Sequence, residues 1–297
     1  MGFSKTHLRG LKSNHFRHPL DRQATQALRQ LPGLDLVVRT LLGPVAENVF
    51  YLDNIASSIQ VNERQLPDIH TLVVDACQIL DLDVPQLYIR QNPIPNAYTF
   101  AMRGQKPFIV LHTSIIDLLT PEEVQAVIAH ELGHLKCDHG VYLTLANLIM
   151  LAADQLLPFG GLVTQSLQSQ MMQWVRCAEF TCDRAALLVA QDARVVASVL
   201  MKLTGGSPNL AQRLNLDAFL DQARSYDAVT QTEIGQLLKD AQVSPLTHPL
   251  PVLRAREIDQ WAGSTDYQRI MNRYSFADNH EKGSEQSRSM AGGWRNW

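Results

Sequence analysis

The 297-residue sequence predicts an α+β fold, mostly helical, with one small sheet in its first half. Three observations carry that prediction. Apolar residues recur at helical spacing over most of the chain, strand signals cluster between residues 86 and 114, and the periodic runs from Thr120 onward all read as helices. A chain of this length with 45% hydrophobic residues can bury a substantial core, enough for one large domain with added arms.

Taken in order, residues 1–30 form a basic arm, with Lys5, Arg9, Lys12, Arg17, Arg22 and Arg29 against Asp21 alone. Such an arm suits either a solvated tail or contact with an anionic membrane surface. "LDLVVRTLLGPVAENVFYLDNIASSIQV" reads as one or two amphipathic helices broken near Gly43 and Pro44, completing an N-terminal region over 1–65. "LPDIHTLVVDACQILDL" is a further helix with one apolar face. "QLYIRQ", "NAYTFAMRG" and "KPFIVLHTS" are short β-favouring runs separated by Asn-Pro, Pro-Asn and Gly-Gln-Lys-Pro punctuation. In "TPEE", Thr120 is a cap, Pro121 the first helical residue and Glu123 the third, which is a capping box opening the next helix. More helices are expected at about 167–191, 192–204, 215–224, 230–241 and 249–262. The apolar run Val141 to Val163 is interrupted by Asp154 and Gln155 after about a dozen residues, short of the ~20 that cross a bilayer, so it reads as a buried helix. Residues 263–297 read as a C-terminal helix and a polar, disordered tail.

The net charge of -3 gives no footprint for a nucleic-acid partner. Cys77, Cys137, Cys177 and Cys182 include no C-x-x-C pair, which argues against a disulfide scaffold and a Cys-rich metal module. A reducing, cytoplasmic setting fits, with at most peripheral contact with a membrane.

Chemistry concentrates in "AVIAHELGHLKCDHG", residues 126–140. On a helix His130 and His134 stand one turn apart and can point two imidazoles at one ion, with Glu131 beside them. The chain holds ten His and ten Glu, and a shuffled version would show H-E-x-x-H roughly once in a hundred tries, so a third ligand must decide. A metzincin would need glycine at 137 and histidine at 140, where this chain has Cys137 and Gly140. No histidine lies between His139 and His248, and Glu179 is the only glutamate between Glu131 and Glu233. Glu179 is followed one turn later by Asp183, a carboxylate able to accept the free N–H of a metal-bound histidine. Alone, these two could be a solvated face paired with Arg176 and Arg184. Beside the histidine pair they read as a zinc site of His130, His134 and Glu179, one ion per chain, supported by Asp183. Zinc acidifies a bound water, and Glu131 is placed to be the general base. His112, Cys137 and His139 have plainer readings, the last as a helix-end histidine favoured by the macrodipole.

This arrangement resembles the gluzincin metallopeptidases, and more narrowly peptidase family forty-eight, that of the HtpX heat-shock protease, the CAAX prenyl protease and the Oma-type mitochondrial protease. "NAYTFAM" is similar to the family's Asn-Ala-aromatic motif, "PFIVLHTSIIDLLTPEEVQAVIAHELGH" to its strand, short helix and zinc helix, and "THPLPVLRAREI" to its His-Pro-Pro motif with a downstream arginine. Leu250 replaces the second proline of that motif. Members commonly carry transmembrane helices and none is found here, so the layout looks most like soluble cyanobacterial and plastid relatives. The resemblance implies a zincin-like domain over 66–262 with its sheet packed beside the zinc helix. It implies roles for His248 as an oxyanion donor, for Arg254 holding His248 or a nearby carboxylate, and for Asn96 and Ala97 at the substrate. It also implies that Ile109, Val110 and Leu111 form an edge strand that pairs with substrate main chain. The function expected is a zinc endopeptidase acting on misfolded or membrane-associated proteins. The alternatives are a zinc-binding scaffold, which would not need Glu131, and a lipid-particle protein with incidental catalysis.

Overall fold

A computed structural model describes residues 5–30, 44–101, 106–140, 142–143, 161–230 and 249–274. His248, most of the apolar run 141–163, the expected helix after Thr230 and the tail from residue 275 lie outside them.

The elements are α1 (Ser13–Phe16), α2 (Pro19–Arg29), α3 (Pro44–Ser57), β1 (Ile59–Val61), α4 (Pro67–Leu80), β2 (Gln86–Arg90), β3 (Ala97–Phe100), β4 (Phe108–His112), α5 (Thr113–Leu118), α6 (Pro121–Lys136), α7 (Gly161–Ala190), α8 (Ala193–Gly205), α9 (Leu216–Thr230) and α10 (Pro251–Ala262). A last helix, α11, covers 265–274. The chain is mostly helical with one four-stranded sheet, in the order β1-β2-β4-β3.

Helical spacing explains the main core. In α4, Ile69, Val73, Ala76 and Leu80 fall on one face and are buried, as are Val124, Ile128 and Leu132 on α6 and Ala185, Leu188 and Val189 on α7. The capping box of α6 forms as the sequence predicts. Thr120 Oγ1 accepts from Glu123 N at 3.4 Å, and Glu123 Oε2 accepts from Thr120 N at 2.8 Å. Glu123 is further held by Lys202 Nζ and Ser198 Oγ from α8, each at 2.6 Å. The start of the site helix is therefore fixed to a second element.

Three expectations are corrected. The run Ile109, Val110, Leu111 is not an edge. β4 pairs parallel with β2 on one side and antiparallel with β3 on the other, and all three residues are fully buried. An unbroken apolar run is what a strand covered on both faces requires, and the sheet ends instead at β3. Second, residues 59–61, expected to end a helix, form β1, antiparallel to β2. Third, the basic arm is not a loose tail. Leu8, Leu11 and Phe16 sit in the main core, and Leu8 N donates to Ile79 O at 2.9 Å. Thr6 is clamped by Gln191, whose side chain accepts from Thr6 N at 3.0 Å and donates to Thr6 O at 2.8 Å. The arm's apolar residues decide its place, and its arginines border it.

Candidate metal centre

The centre is built where α6 crosses α7. A side chain at Gly133 would bring a Cβ to 2.9 Å from Ala185 Cβ and 3.0 Å from Cys182 Cα, so glycine there lets the two helices approach closely. On α6 one turn separates His130 from His134, and on α7 one turn separates Glu179 from Asp183. The close crossing turns these four side chains toward each other. His130 Nε2 lies 3.3 Å from Glu179 Oε2, and His134 Nε2 lies 3.3 Å from Glu179 Oε1. His130 Nδ1, on the other side of its ring, is 3.1 Å from Asp183 Oδ1.

Arg254, from α10, grips Asp183 with two bonds, Nε to Oδ2 at 2.8 Å and Nη2 to Oδ1 at 2.6 Å, and its Nη1 is 3.3 Å from Glu179 Oε2. Of the two partners the resemblance allowed for Arg254, a nearby carboxylate is the one the described residues show. Burial opposes charge on Asp183, but the Arg254 guanidinium outweighs it and holds the carboxyl below its usual range. Burial likewise opposes charge on His130, yet Glu179 and Asp183 lift it to about 10. Two carboxylates, one at each ring nitrogen, favour positive charge on this imidazole.

Glu131 is 6% exposed and lines the same cavity as His130 and Glu179. Its Oε2 accepts from Thr99 Oγ1 of β3 at 2.7 Å, and its carbonyl oxygen lies 3.1 Å from the same hydroxyl. Thr99 therefore ties β3 to α6. A cavity of about 230 Å³ opens beside these groups. Asn96 and Ala97 border it at the start of β3, and Val127, Val196, Leu200 and Leu203 give it an apolar side.

Two residues in this network escaped the sequence reading. After α6 the chain turns at Asp138, which takes a left-handed conformation with φ of 56°. Asp138 N donates to Leu135 O at 3.2 Å and His139 N to His134 O at 2.9 Å, which is a Schellman closure. It folds His139 back under His134, with the two Nδ1 atoms 3.2 Å apart. His139 Nε2 then reaches Asp21 Oδ2 at 3.1 Å. The lone acid of the basic arm was the one available signal.

Cys182 is a further donor nearby, since His130, His134 and Cys182 bring ligand atoms within 4.8 Å of one another. Burial raises its thiol well above the ordinary value. Its sulfur is 3.8 Å from His139 Nδ1.

Comparison with known proteins gives the family. The profile of peptidase family M48 matches residues 63–262. The chain belongs to peptidase family M48. As a member it is a metallopeptidase, with the family's zincin-like domain. The plastoglobule-localized metallopeptidase 48 of the Arabidopsis thaliana chloroplast is 55% identical over 263 residues, which take in 89% of this chain and 76% of that protein. The protease HtpX homolog 2 of Methanosarcina acetivorans is 31% identical over 170 residues, 49% of this chain and 58% of that relative. Among solved structures, S. mikatae Ste24p aligns over 81% of this chain and 61% of its own, with a TM-score of 0.43 and 14% identity, too loose a likeness to carry an argument.

Proposed function

We propose that this M48 member is a zinc endopeptidase in which His130, His134 and Glu179 hold the ion and Glu131 is the general base. The observation that carries this reading is the 3.3 Å spacing of both Nε2 atoms from the two Glu179 oxygens. That spacing is the edge of a tetrahedron with metal–ligand bonds of about 2.0 Å, the length zinc takes with nitrogen and carboxylate oxygen. Glu179 suits the third place better than Cys182, because its two oxygens each lie 3.3 Å from a histidine Nε2. When bound, zinc acidifies a water and polarises the peptide carbonyl. Glu131, held by Thr99, takes the proton from that water and returns it to the amide nitrogen that leaves. Asp183 fixes the ring of His130, and Arg254 fixes Asp183, so both are positioning residues. The role of His248 toward the oxyanion rests on the resemblance alone.

The substrate strand pairs with β3. Its inner side is taken by β4, and among the described residues no further strand of the sheet pairs with its outer side. Main-chain pairing there aligns a scissile bond while leaving side-chain preference loose, which suits unfolded segments and a quality-control role. Asn96 and Ala97, at the start of this strand and on the cavity wall, are the substrate contacts we assign.

Among the described residues no helix is long and apolar enough to cross a membrane. The Arabidopsis relative is named for plastoglobules, and we infer peripheral lipid contact for this chain too. Leu52 and Ile55, one turn apart on α3 and 63% and 46% exposed, are the apolar residues offered for it. Flotation with lipid droplets, lost in a Leu52→Ser/Ile55→Ser double variant, tests this.

The deciding experiment for the enzyme pairs two variants. Glu131→Gln is expected to keep one zinc per chain and lose casein hydrolysis by several orders of magnitude, on the order of 10⁴-fold or more. Glu179→Ala is expected to lose the zinc. Normal turnover by the first or full metal content in the second removes the assignment.

A further inference from the structure

Behind His134, on the side away from Glu179, lies a closed chain of buried polar groups that the hydrolytic steps do not use. His134 Nδ1 faces His139 Nδ1 at 3.2 Å, and His139 Nε2 faces Asp21 Oδ2 at 3.1 Å. His139 is 1% exposed and Asp21 fully buried. Asp21 comes from α2, outside the residues matched to the family.

The hydrogen positions in this chain follow from what each atom can do. Thr25 Oγ1 accepts from the indole Nε1 of Trp174 at 2.9 Å, so its own proton goes to Asp21 Oδ1 at 2.8 Å. Thr181 Oγ1 accepts from His18 N at 3.0 Å, so its proton goes to Asp21 Oδ2 at 2.7 Å. An ionised carboxylate only accepts, and the third approach to it, from His139 Nε2, must therefore carry a hydrogen. In the neutral ring that leaves Nδ1 of His139 bare. A bare Nδ1 accepts, and His134 Nδ1 at 3.2 Å is nearer to it than Cys182 Sγ at 3.8 Å, so His134 presents Nδ1–H to it, the form in which the ring takes a metal on Nε2. That Nε2 is the atom facing Glu179.

We propose that Asp21 and His139 are positioning residues for the metal, fixing the tautomer and ring direction of His134 through a two-step hydrogen-bonded relay. The inference rests on His134 being a metal ligand. It gives the two histidines matching supports, Asp183 directly behind His130 and Asp21 behind His134 by way of His139. It also makes α2 of the arm a working part of the centre. Outer-sphere acceptors of this kind contribute about 10- to 100-fold in metal affinity.

The test uses the full chain. The imidazole nitrogens of the zinc-loaded protein, ¹⁵N-labelled at histidine, are read by long-range ¹H–¹⁵N correlation. Zinc dissociation constants are then measured by chelator competition for the wild type, Asp21→Ala, His139→Leu and His139→Gln. The relay predicts His139 in the Nε2–H form in the wild type, with its Nδ1 bare toward His134. It predicts Kd raised about 10- to 100-fold in His139→Leu and Asp21→Ala, with most of the loss recovered in His139→Gln, whose amide oxygen can accept from His134. Wild-type His139 protonated on Nδ1 overturns the proposal whether or not the variants fold. So does a folded His139→Leu with wild-type affinity, or a His139→Gln as weak as the leucine variant. Zinc retained by His134→Ala, or none bound by the wild type, defeats the metal assignment itself and the relay with it, an outcome distinct from the others.

Discussion

At the scale of single residues, the hydroxyl of Thr99 is the most informative contact outside the ligand set. Its single proton lies between the Glu131 carboxylate and the Glu131 carbonyl, 2.7 and 3.1 Å away. Thr99→Val keeps the shape and removes the donor. A hydrogen bond to a charged group contributes roughly 1.5–3 kcal/mol, so kcat/KM is expected to fall about 10-fold or more with zinc content unchanged. Unchanged turnover would mean that the bond only fastens β3 to the helix. Legibility in the sequence divides along the same lines. His130, His134, Glu179 and Asp183 could be named because each pair lies four residues apart on a helix, where periodicity alone puts side chains on one face. His139 could not, because its place depends on a left-handed Asp138 and a Schellman closure that no spacing announces. Thr99 and Asp21 meet their partners only through tertiary packing, 32 and 118 residues away.

At the scale of elements, two contacts set the centre. Gly133 is where α6 and α7 touch, and a methyl there would need to displace backbone at Cys182. Gly133→Ala is expected to cost about 1–3 kcal/mol, as overpacking does. It should also weaken zinc binding, because the helices that carry the His pair and Glu179 must part. Thermal unfolding of the metal-free protein and zinc competition measure the two effects, and a wild-type zinc affinity would show that the helices yield elsewhere. The second contact is the outer side of β3, where no further strand pairs among the described residues. A proline at Ala97, whose N–H points away from β4, should raise KM in a folded, zinc-loaded protein, and unaltered cleavage by that variant would rule out strand addition. This site of pairing was misassigned to "FIVLH" from the sequence. Apolar alternation identifies a strand's faces but not its neighbours, and β4 acquires both its partners from pairing at a distance.

For the whole molecule, two carboxylates, Asp21 buried and Glu257 half-buried, add to the apolar docking of the arm against the helices that carry the site. Asp21 joins α2 to α7 through Thr181 and to the loop after α6 through His139. Glu257 of α10 joins His18 at 2.9 Å and Arg184 at 3.3 Å. Burial would raise both acids, but at Asp21 the bonds from His139 and Thr181, with Arg17 nearby, bring it from 3.8 down to about 2. At Glu257, His18 and Arg184 likewise outweigh burial and lower it. A carboxylate depressed in the folded state stabilises the fold fully above its unfolded pKa and loses that contribution as pH falls through the folded one. For Asp21 the window runs from about pH 4 down to about 2, and the shift is equivalent to about 2 kcal/mol. Urea unfolding of the metal-free wild type and Asp21→Asn, from pH 6 to 2.5, reads this directly. The wild type should be the more stable above pH 4, and the gap should narrow as pH falls, because only the wild type has that carboxylate to protonate. A gap that stays constant across the window would show that Asp21 holds the arm by shape and neutral hydrogen bonding. The charge would then be dispensable to the fold, and any effect of Asp21 on the metal would have to come from the orientation of His139 alone.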